Sequence, residues 1–400
     1  MSARAERTAL ITLDWSRVAR IVASCALLAV FAFSRPLEGR GHISDVDATT
    51  YPAWVFVDTG TFELSGHQEH SHWFVSTESG VYSNRSPGAI GFATLGYLAA
   101  KPWSTGYSTL PGTVVAVLTS WLAVVLVAAS AERLRPGLWI PTLVFFGLGT
   151  ATWSISANQL WPHGPAQLMV ALAVWLLIAK EDVASGLAFA IAVLVRPPTV
   201  LLGMGVGITK AIRDRSWRPL WAISGPPAVA AGAFVVYGRI VFGSWSPVAS
   251  YESVGGFYGL TGLGERVVNW LSALVLPRHG VLVWSAWVLL CLAYSYRHRL
   301  GGIPNWLSAT PLIAAMYVVV HSSLEVASGA LPYNYRYPLE AVTLCAPFIL
   351  AAMPNMTRVR LWRMPLLLTG WLAVFLQGAF VFLSRCWLVT PELAMCSLFG

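Results

Sequence analysis

Charge is scarce in this chain: only 11% of its 400 residues are Asp, Glu, Lys or Arg, against about 25% in ordinary soluble domains. That deficit excludes a water-soluble globular protein. With 56% hydrophobic residues and a mean hydropathy of +0.62, it leaves a polytopic, all-α membrane protein. Internal repeats, low-complexity linkers and an appended soluble domain are all missing, so a single membrane module over 1–400 is expected. A basic arm is missing too, and the net charge of +8 is accounted for by topology, which excludes nucleic acid as a partner. Cysteine, at five residues, says little. Cys25, Cys291 and Cys345 fall in apolar runs, while Cys386 and Cys396 lie together where an oxidising compartment would let them pair.

What is there is a series of apolar runs. A helix of about 17–25 apolar residues crosses the hydrocarbon core while satisfying its own backbone. Such runs occur near 17–34, 111–131, 138–157, 165–180, 217–238, 279–296, 305–322, 337–354 and 364–384. Between 183 and 210 the run is interrupted by Arg196-Pro197-Pro198, and proline ends helices, so two short helices meeting at a polar apex are expected. The sum is about eleven transmembrane helices.

Sixteen of the 26 Lys and Arg fall on alternate connections, among them Arg17, Arg133, Arg135, Lys180, Arg213, Arg297 and Arg358. The positive-inside rule makes that side cytoplasmic. The protein is then expected in a plasma membrane with its N-terminus inside, and the polar segment 35–110 is a long extracytoplasmic first loop. Within it Tyr51, Trp54 and Val55 recur at helical spacing, and 87–100 is apolar but short, which predicts two helices lying along the membrane surface.

That loop holds Ser44-Asp45-Val46-Asp47-Ala48-Thr49-Thr50-Tyr51 and Tyr82-Ser83-Asn84-Arg85-Ser86-Pro87-Gly88. Further outer segments carry Gln159-Leu160-Trp161-Pro162-His163, Val195-Arg196-Pro197, Phe242-Gly243-Ser244, Leu276-Pro277-Arg278-His279-Gly280 and Tyr333-Asn334-Tyr335-Arg336-Tyr337. In their order and placement these motifs resemble the GT-C superfamily of integral-membrane glycosyltransferases, which use polyprenyl-phosphate sugars. The resemblance covers most of the chain. It departs from the superfamily pattern where the acid usually found directly after the first is Val or Ala, and where no C-terminal periplasmic domain is expected.

The resemblance implies a donor of polyprenyl-phosphate monosaccharide and a glycan, lipid or protein acceptor, with membrane lipid around the site. Taking a proton from an attacking hydroxyl requires a carboxylate. Asp47 is the candidate base, with inversion at the anomeric carbon. Asp45 is an alternative base, a supporting or metal-binding acid, or a solvated loop residue, and capping remains a role open to both. A phosphate leaving group calls for cations: Arg85, Arg336, Arg196 and Arg278 are candidates, against the alternative that they snorkel at the interface. Tyr51, Tyr82, His163 and Tyr335 are candidate substrate contacts. No cofactor is expected. His67, Glu69, His70 and His72 are chemically able to hold a divalent metal, although their spacing matches no familiar zinc motif.

Two other classes stay in view. A lipid-linked sugar transporter or flippase shares the charge pattern, but intramembrane acids and repeats are hard to find in these runs. An O-antigen ligase or polymerase takes a diphosphate carrier and relies on a large later loop, whereas the largest loop here is the first.

Overall fold

The computed structural model of the chain describes residues 15–34, 44–103, 106–252, 262–275, 280–323 and 335–383. The first helix, α1 (Trp15–Ser34), is followed by α2 (Ser44–Thr59), a hairpin of β1 (Phe74–Thr77) and β2 (Gly80–Ser83), and α3 (Pro87–Ala100). Next come α4 (Leu110–Leu134), α5 (Trp139–Thr142), α6 (His163–Ile178), α7 (Asp182–Val195), α8 (Val200–Asp214) and α9 (Gly225–Phe242). The rest comprises α10 (Ala249–Glu252), α11 (Leu263–Val275), α12 (Val281–Trp284), α13 (Ala286–His298), α14 (Thr310–Ser322), α15 (Leu339–Leu350), α16 (Met353–Arg358) and α17 (Arg360–Leu383).

Among the described residues four stretches are long and apolar enough to span a membrane: α1, α4, Leu220–Phe242 and Arg360–Phe382. Six shorter apolar helices accompany them. Helices cover the expected runs, but several are broken, so among the described residues eleven continuous spans are not seen. The run 138–157 passes from α5 into wide turns over Leu143–Leu148, stops at Gly149 and resumes at Thr152–Ser156. The run 279–296 bends at Ser285, between α12 and α13. Pro347 sits inside α15, which gives way to α16 at Met353. Hydropathy counts apolar residues and does not register where the backbone ladder is interrupted. The expected break at Arg196-Pro197-Pro198 is there, with α7 ending at Val195 and α8 starting at Val200 across one short turn.

The core forms where α4 packs on α6 and α6 on α7, with α15 set against both α4 and α6. All of α15 is buried, the signature of a central helix surrounded by protein. Around it, Ile21, Phe33, Val229, Ile240, Trp371 and Phe375 stay exposed, as lipid-facing side chains of a membrane protein do.

Helices are present at both expected positions of the first loop, α2 and α3, packed on one another, with α3 set against α4 and α7. The hairpin between them was not legible from apolar spacing. Its register pairs Phe74 with Ser83 and Thr77 with Gly80. Glu63 Oε1 pins it, accepting from the Val81 amide at 2.9 Å. At the start of α3, Pro87 needs no amide partner in the first turn. Gly88 permits a close approach, since a Cβ there would lie 2.5 Å from the backbone carbon of Leu194. That contact locks the first loop onto the end of α7, one residue from Arg196.

Candidate active site

The two acids of the first loop were expected on a solvated segment. They lie instead in the first turn of α2, and residues two apart on a helix do not face the same way. Asp45 turns toward two arginines. Its Oδ1 pairs with the Arg85 guanidinium, and its Oδ2 stands 3.5 Å from Arg336 Nη1. Each arginine rests on aromatic rings: Arg85 lies 4.9 Å above Trp73, and Arg336 lies 4.7 Å above Trp161 and 5.4 Å above Tyr337. Ring faces attract guanidinium and hold its plane. Three residues far apart in sequence are thus gathered into one compact ionic group.

Asp47 faces the other way and is only 2% exposed. The Tyr107 hydroxyl donates to its Oδ1 at 2.5 Å and contacts Thr50 Oγ1 at 2.8 Å. Burial, with Tyr97 and the Asp47 charge nearby, pushes the Tyr107 hydroxyl well above its usual range, so it remains a proton donor to Asp47 throughout physiological pH. Tyr107 carries no sequence signal of its own.

β2 and the link to α3 carry the other wall. The Ser83 hydroxyl donates to the Ala48 carbonyl at 2.5 Å, tying the hairpin to α2, and Ser83 Oγ accepts from the Arg85 amide at 3.1 Å. Ser86 donates to the Val195 carbonyl, tying the same link to α7. Between them Asn84 is fully buried, with neither side-chain amide atom hydrogen-bonded among the described residues.

Tyr51 is enclosed within the first loop. Its hydroxyl meets His67 Nδ1 at 3.0 Å, its ring stacks on His70 at 4.2 Å, and it meets the Tyr107 ring edge-on at 4.7 Å. Two of the four candidate metal ligands therefore pack on Tyr51. A third, His72, lies 4.4 Å from the Trp73 ring. Among the described residues no group of three or more His, Cys, Asp or Glu is placed to hold a metal ion. Tyr82 lines an apolar cavity of about 310 Å³ together with Pro52, Phe62, Pro87, Ile90, Tyr237 and Val241. Tyr335 is turned into the bundle, its hydroxyl 2.5 Å from Ser285 Oγ, while Ser285 donates to the Gly149 carbonyl at 2.8 Å. Through Ser285 it joins two breaks in the helices, at Gly149 and at Ser285. Arg278, Cys386 and Cys396 lie outside the described residues.

Arg196 and His163 are brought together, with residues that the sequence reading did not single out. Arg196 Nη1 donates to Glu340 Oε1 at 2.9 Å and Oε2 at 3.2 Å, and Nη2 donates to His321 Nε2 at 2.9 Å. His163 Nδ1 donates to Glu340 Oε1 at 2.9 Å, and the Tyr317 hydroxyl to Oε2 at 3.2 Å. Glu340 has no exposed surface. Its signal was available: it is an acid opening an apolar run, and such residues are costly unless paired. Tyr337 links the two ionic groups, with its ring stacked on His321 at 4.5 Å and lying 5.0 Å under Arg196.

The chain is thus a helical bundle in which α2 and α3 pack on one another and an acid at the head of α2 meets two arginines. The fold is similar to that of the Archaeoglobus fulgidus oligosaccharyltransferase in its apo form, with a TM-score of 0.52 and 13% identity over 96% of this chain and 56% of that one. It is also similar to the archaeal oligosaccharyltransferase AglB from Archaeoglobus fulgidus, solved with an inhibitory peptide and a dolichol-phosphate, with a TM-score of 0.51 and 9% identity over 93% of this chain. The chain spans just over half the length of both structures, 56%. No family model and no curated protein matches the sequence.

Proposed function

We propose that the protein is a membrane glycosyltransferase that moves a monosaccharide from a polyprenyl-phosphate carrier to a cell-envelope glycan, lipid or protein on the extracytoplasmic face. The observation that carries this reading is the convergence of Arg85 and Arg336, each backed by aromatic rings, at the head of α2 beside a second, separate carboxylate. Two oriented guanidiniums suit a phosphate leaving group, which departs as an anion and needs no strong general acid. A dolichol-phosphate in one structural neighbour is the same ligand chemistry. The apolar cavity beside Tyr82 and Pro87 offers a seat for the first part of the carrier's chain.

Asp47 serves as the base. It accepts the proton of the acceptor hydroxyl as the oxygen attacks the anomeric carbon, the bond from that carbon to phosphate breaks, and the carrier leaves as lipid phosphate. Asp45 and Asp47 point to different sides of α2, so the phosphate-holding group and the base are on separate flanks. Displacement with inversion calls for that separation. Tyr107 holds Asp47 in place as a hydrogen-bond donor.

The test is transfer of radiolabelled sugar by the purified protein from polyprenyl-phosphate mannose, glucose, arabinose or aminoarabinose to envelope acceptors. Wild-type transfer that falls by about 10²–10⁴-fold in Asp47→Asn is expected. Full activity in that variant would remove Asp47 as the base. One observation favours a second reading, lipid-linked sugar transport: the ionic group of Arg196, Glu340, His163 and His321 is buried between helices, where transporters keep their relays. Carrier flux across proteoliposomes without any sugar transfer would bring that reading forward.

A further inference from the structure

We infer that Asp45 is a removable counter-ion, which occupies the two-arginine site in the ligand-free protein and gives way when the carrier's phosphate binds. This rests on the phosphate-site reading above and adds a role for the acid that the reaction itself does not use.

Arg85 and Arg336 are nearly enclosed, with side chains 11% and 9% exposed. Buried cations without an anion are strongly unfavourable, so the empty site needs a negative charge of its own. Asp45 supplies it in a particular way. One carboxylate oxygen faces each arginine, which is how two oxygens of a phosphate would be held. Yet the fit is unequal, since the Arg336 contact is stretched to 3.5 Å, and one carboxylate is shared between two guanidiniums. A phosphate carries more charge and more acceptor oxygens, so it matches the pair better than Asp45 does.

Asp45 is also built to move. Its side chain is 20% exposed, more open than either arginine, and it sits in the first turn of α2, where the helix dipole favours a carboxylate that has let go of its partners. The arginines, by contrast, are held from behind by Trp73, Trp161 and Tyr337 and stay in place through the exchange. Asn84, the residue before Arg85, holds a buried amide without a partner among the described residues, a group whose burial is unfavourable until something bonds it. The exchange keeps an anion beside the arginines at every stage. It also makes the carrier compete with the protein's own carboxylate, which weakens binding of spent lipid phosphate after transfer.

The experiment measures binding of farnesyl phosphate, farnesol and inorganic phosphate to the full-length protein in nanodiscs. The forms compared are wild type, Asp45→Asn, Asp45→Ser and Arg85→Gln, each checked for a single cooperative unfolding transition above the assay temperature. If Asp45 competes with phosphate, either Asp45 variant binds farnesyl phosphate at least about tenfold more tightly than wild type, farnesol binding is unchanged, and Arg85→Gln loses the phosphate-dependent part. Equal or weaker binding in both Asp45 variants, with wild type still binding, overturns the exchange and leaves the phosphate site standing. A tightening seen for inorganic phosphate but not for farnesyl phosphate supports the exchange and identifies the ligand as free phosphate. Absence of phosphate-dependent binding in every form overturns both this inference and the reading it rests on.

Discussion

Replacing Glu340 by Gln should be among the most damaging single changes in the protein, and the structure gives the size. Glu340 is wholly buried and is the anion for Arg196, whose Nη1 reaches both of its oxygens. Gln keeps the shape and one acceptor oxygen but removes the charge. Arg196, itself 7% exposed, then becomes a buried cation with only neutral neighbours. Breaking a buried pair from one side costs about 3–5 kcal/mol, whereas replacing both partners with apolar groups of similar volume is often neutral or better. The double variant Arg196→Met with Glu340→Met still strips acceptors from His163 Nδ1 and the Tyr317 hydroxyl, which costs about 1–3 kcal/mol. The double variant should therefore be more stable than Glu340→Gln by about 1–2 kcal/mol.

The assay is thermal unfolding in detergent followed by tryptophan fluorescence, with wild type, Glu340→Gln, Arg196→Met and the double variant compared under one condition. The expected order of midpoints is wild type, double variant, then the two single variants. A double variant no more stable than Glu340→Gln would refute the reasoning, because the cost would then come from packing or lost hydrogen bonds and not from an orphaned charge. The consequence extends beyond stability. Tyr337 lies against both Arg196 and Arg336, so loosening the pair removes part of the support behind the proposed phosphate site.

Tyr107→Phe removes the donor that meets Asp47 at 2.5 Å and leaves a buried carboxylate short of a partner; unfolding should show a loss of about 1–3 kcal/mol, and transfer should fall with it. Gly88→Ala drives a methyl to 2.5 Å of the Leu194 backbone carbon, where no flexible side chain can yield. It should cost at least about 1–3 kcal/mol, while Gly91→Ala on the same helix, with open space around it, should be tolerated in the same unfolding measurement. Hydrogen bonds from the Ser65 hydroxyl and the Val81 amide hold Glu63 below the usual carboxylate range. A carboxyl lowered in the folded state contributes stability above its unfolded pKa of about 4.3 and loses it as pH falls through the folded value. Amide exchange in 74–83 should therefore quicken below about pH 4, and in Glu63→Gln that step should disappear.

Much of the architecture was legible because its signals are local. The helix at 87–100 reads directly from Pro87 and the apolar run after it, and the turn at Arg196-Pro197-Pro198 reads from proline's missing amide. What stayed hidden depends on contacts across the chain. The break at Gly149, the bend at Ser285 and the burial of Tyr335 belong to one hydrogen-bonded junction whose members lie far apart in sequence. Tyr107 and Tyr337 look like any of the chain's other aromatics until the fold sets one beside Asp47 and the other between two arginines. His67 and His70 pose a different difficulty. They are chemically able to hold a metal, but a histidine pair is equally suited to packing around a buried tyrosine, and composition does not separate the two uses.

The acids of the first loop show how secondary structure changes the meaning of a motif. Read as a loop, Asp45 and Asp47 are interchangeable, two carboxylates one residue apart in water. On a helix the same spacing sends them to different sides, and each side has its own chemistry. Asp45 meets two cations and, in the proposed exchange, gives way to phosphate, while Asp47 meets a phenol and is kept as a shielded carboxylate. Exchanging the two roles would require α2 to turn by about half a revolution. The carbonyl of Ala48, held by Ser83 at 2.5 Å, and the seat of Gly112 against Thr50, where a Cβ would lie 2.6 Å from Thr50 Cγ2, both oppose such a rotation. The assignment of function to each acid thus rests less on the acids themselves than on the serine, the glycine and the hairpin that fix how their helix is turned.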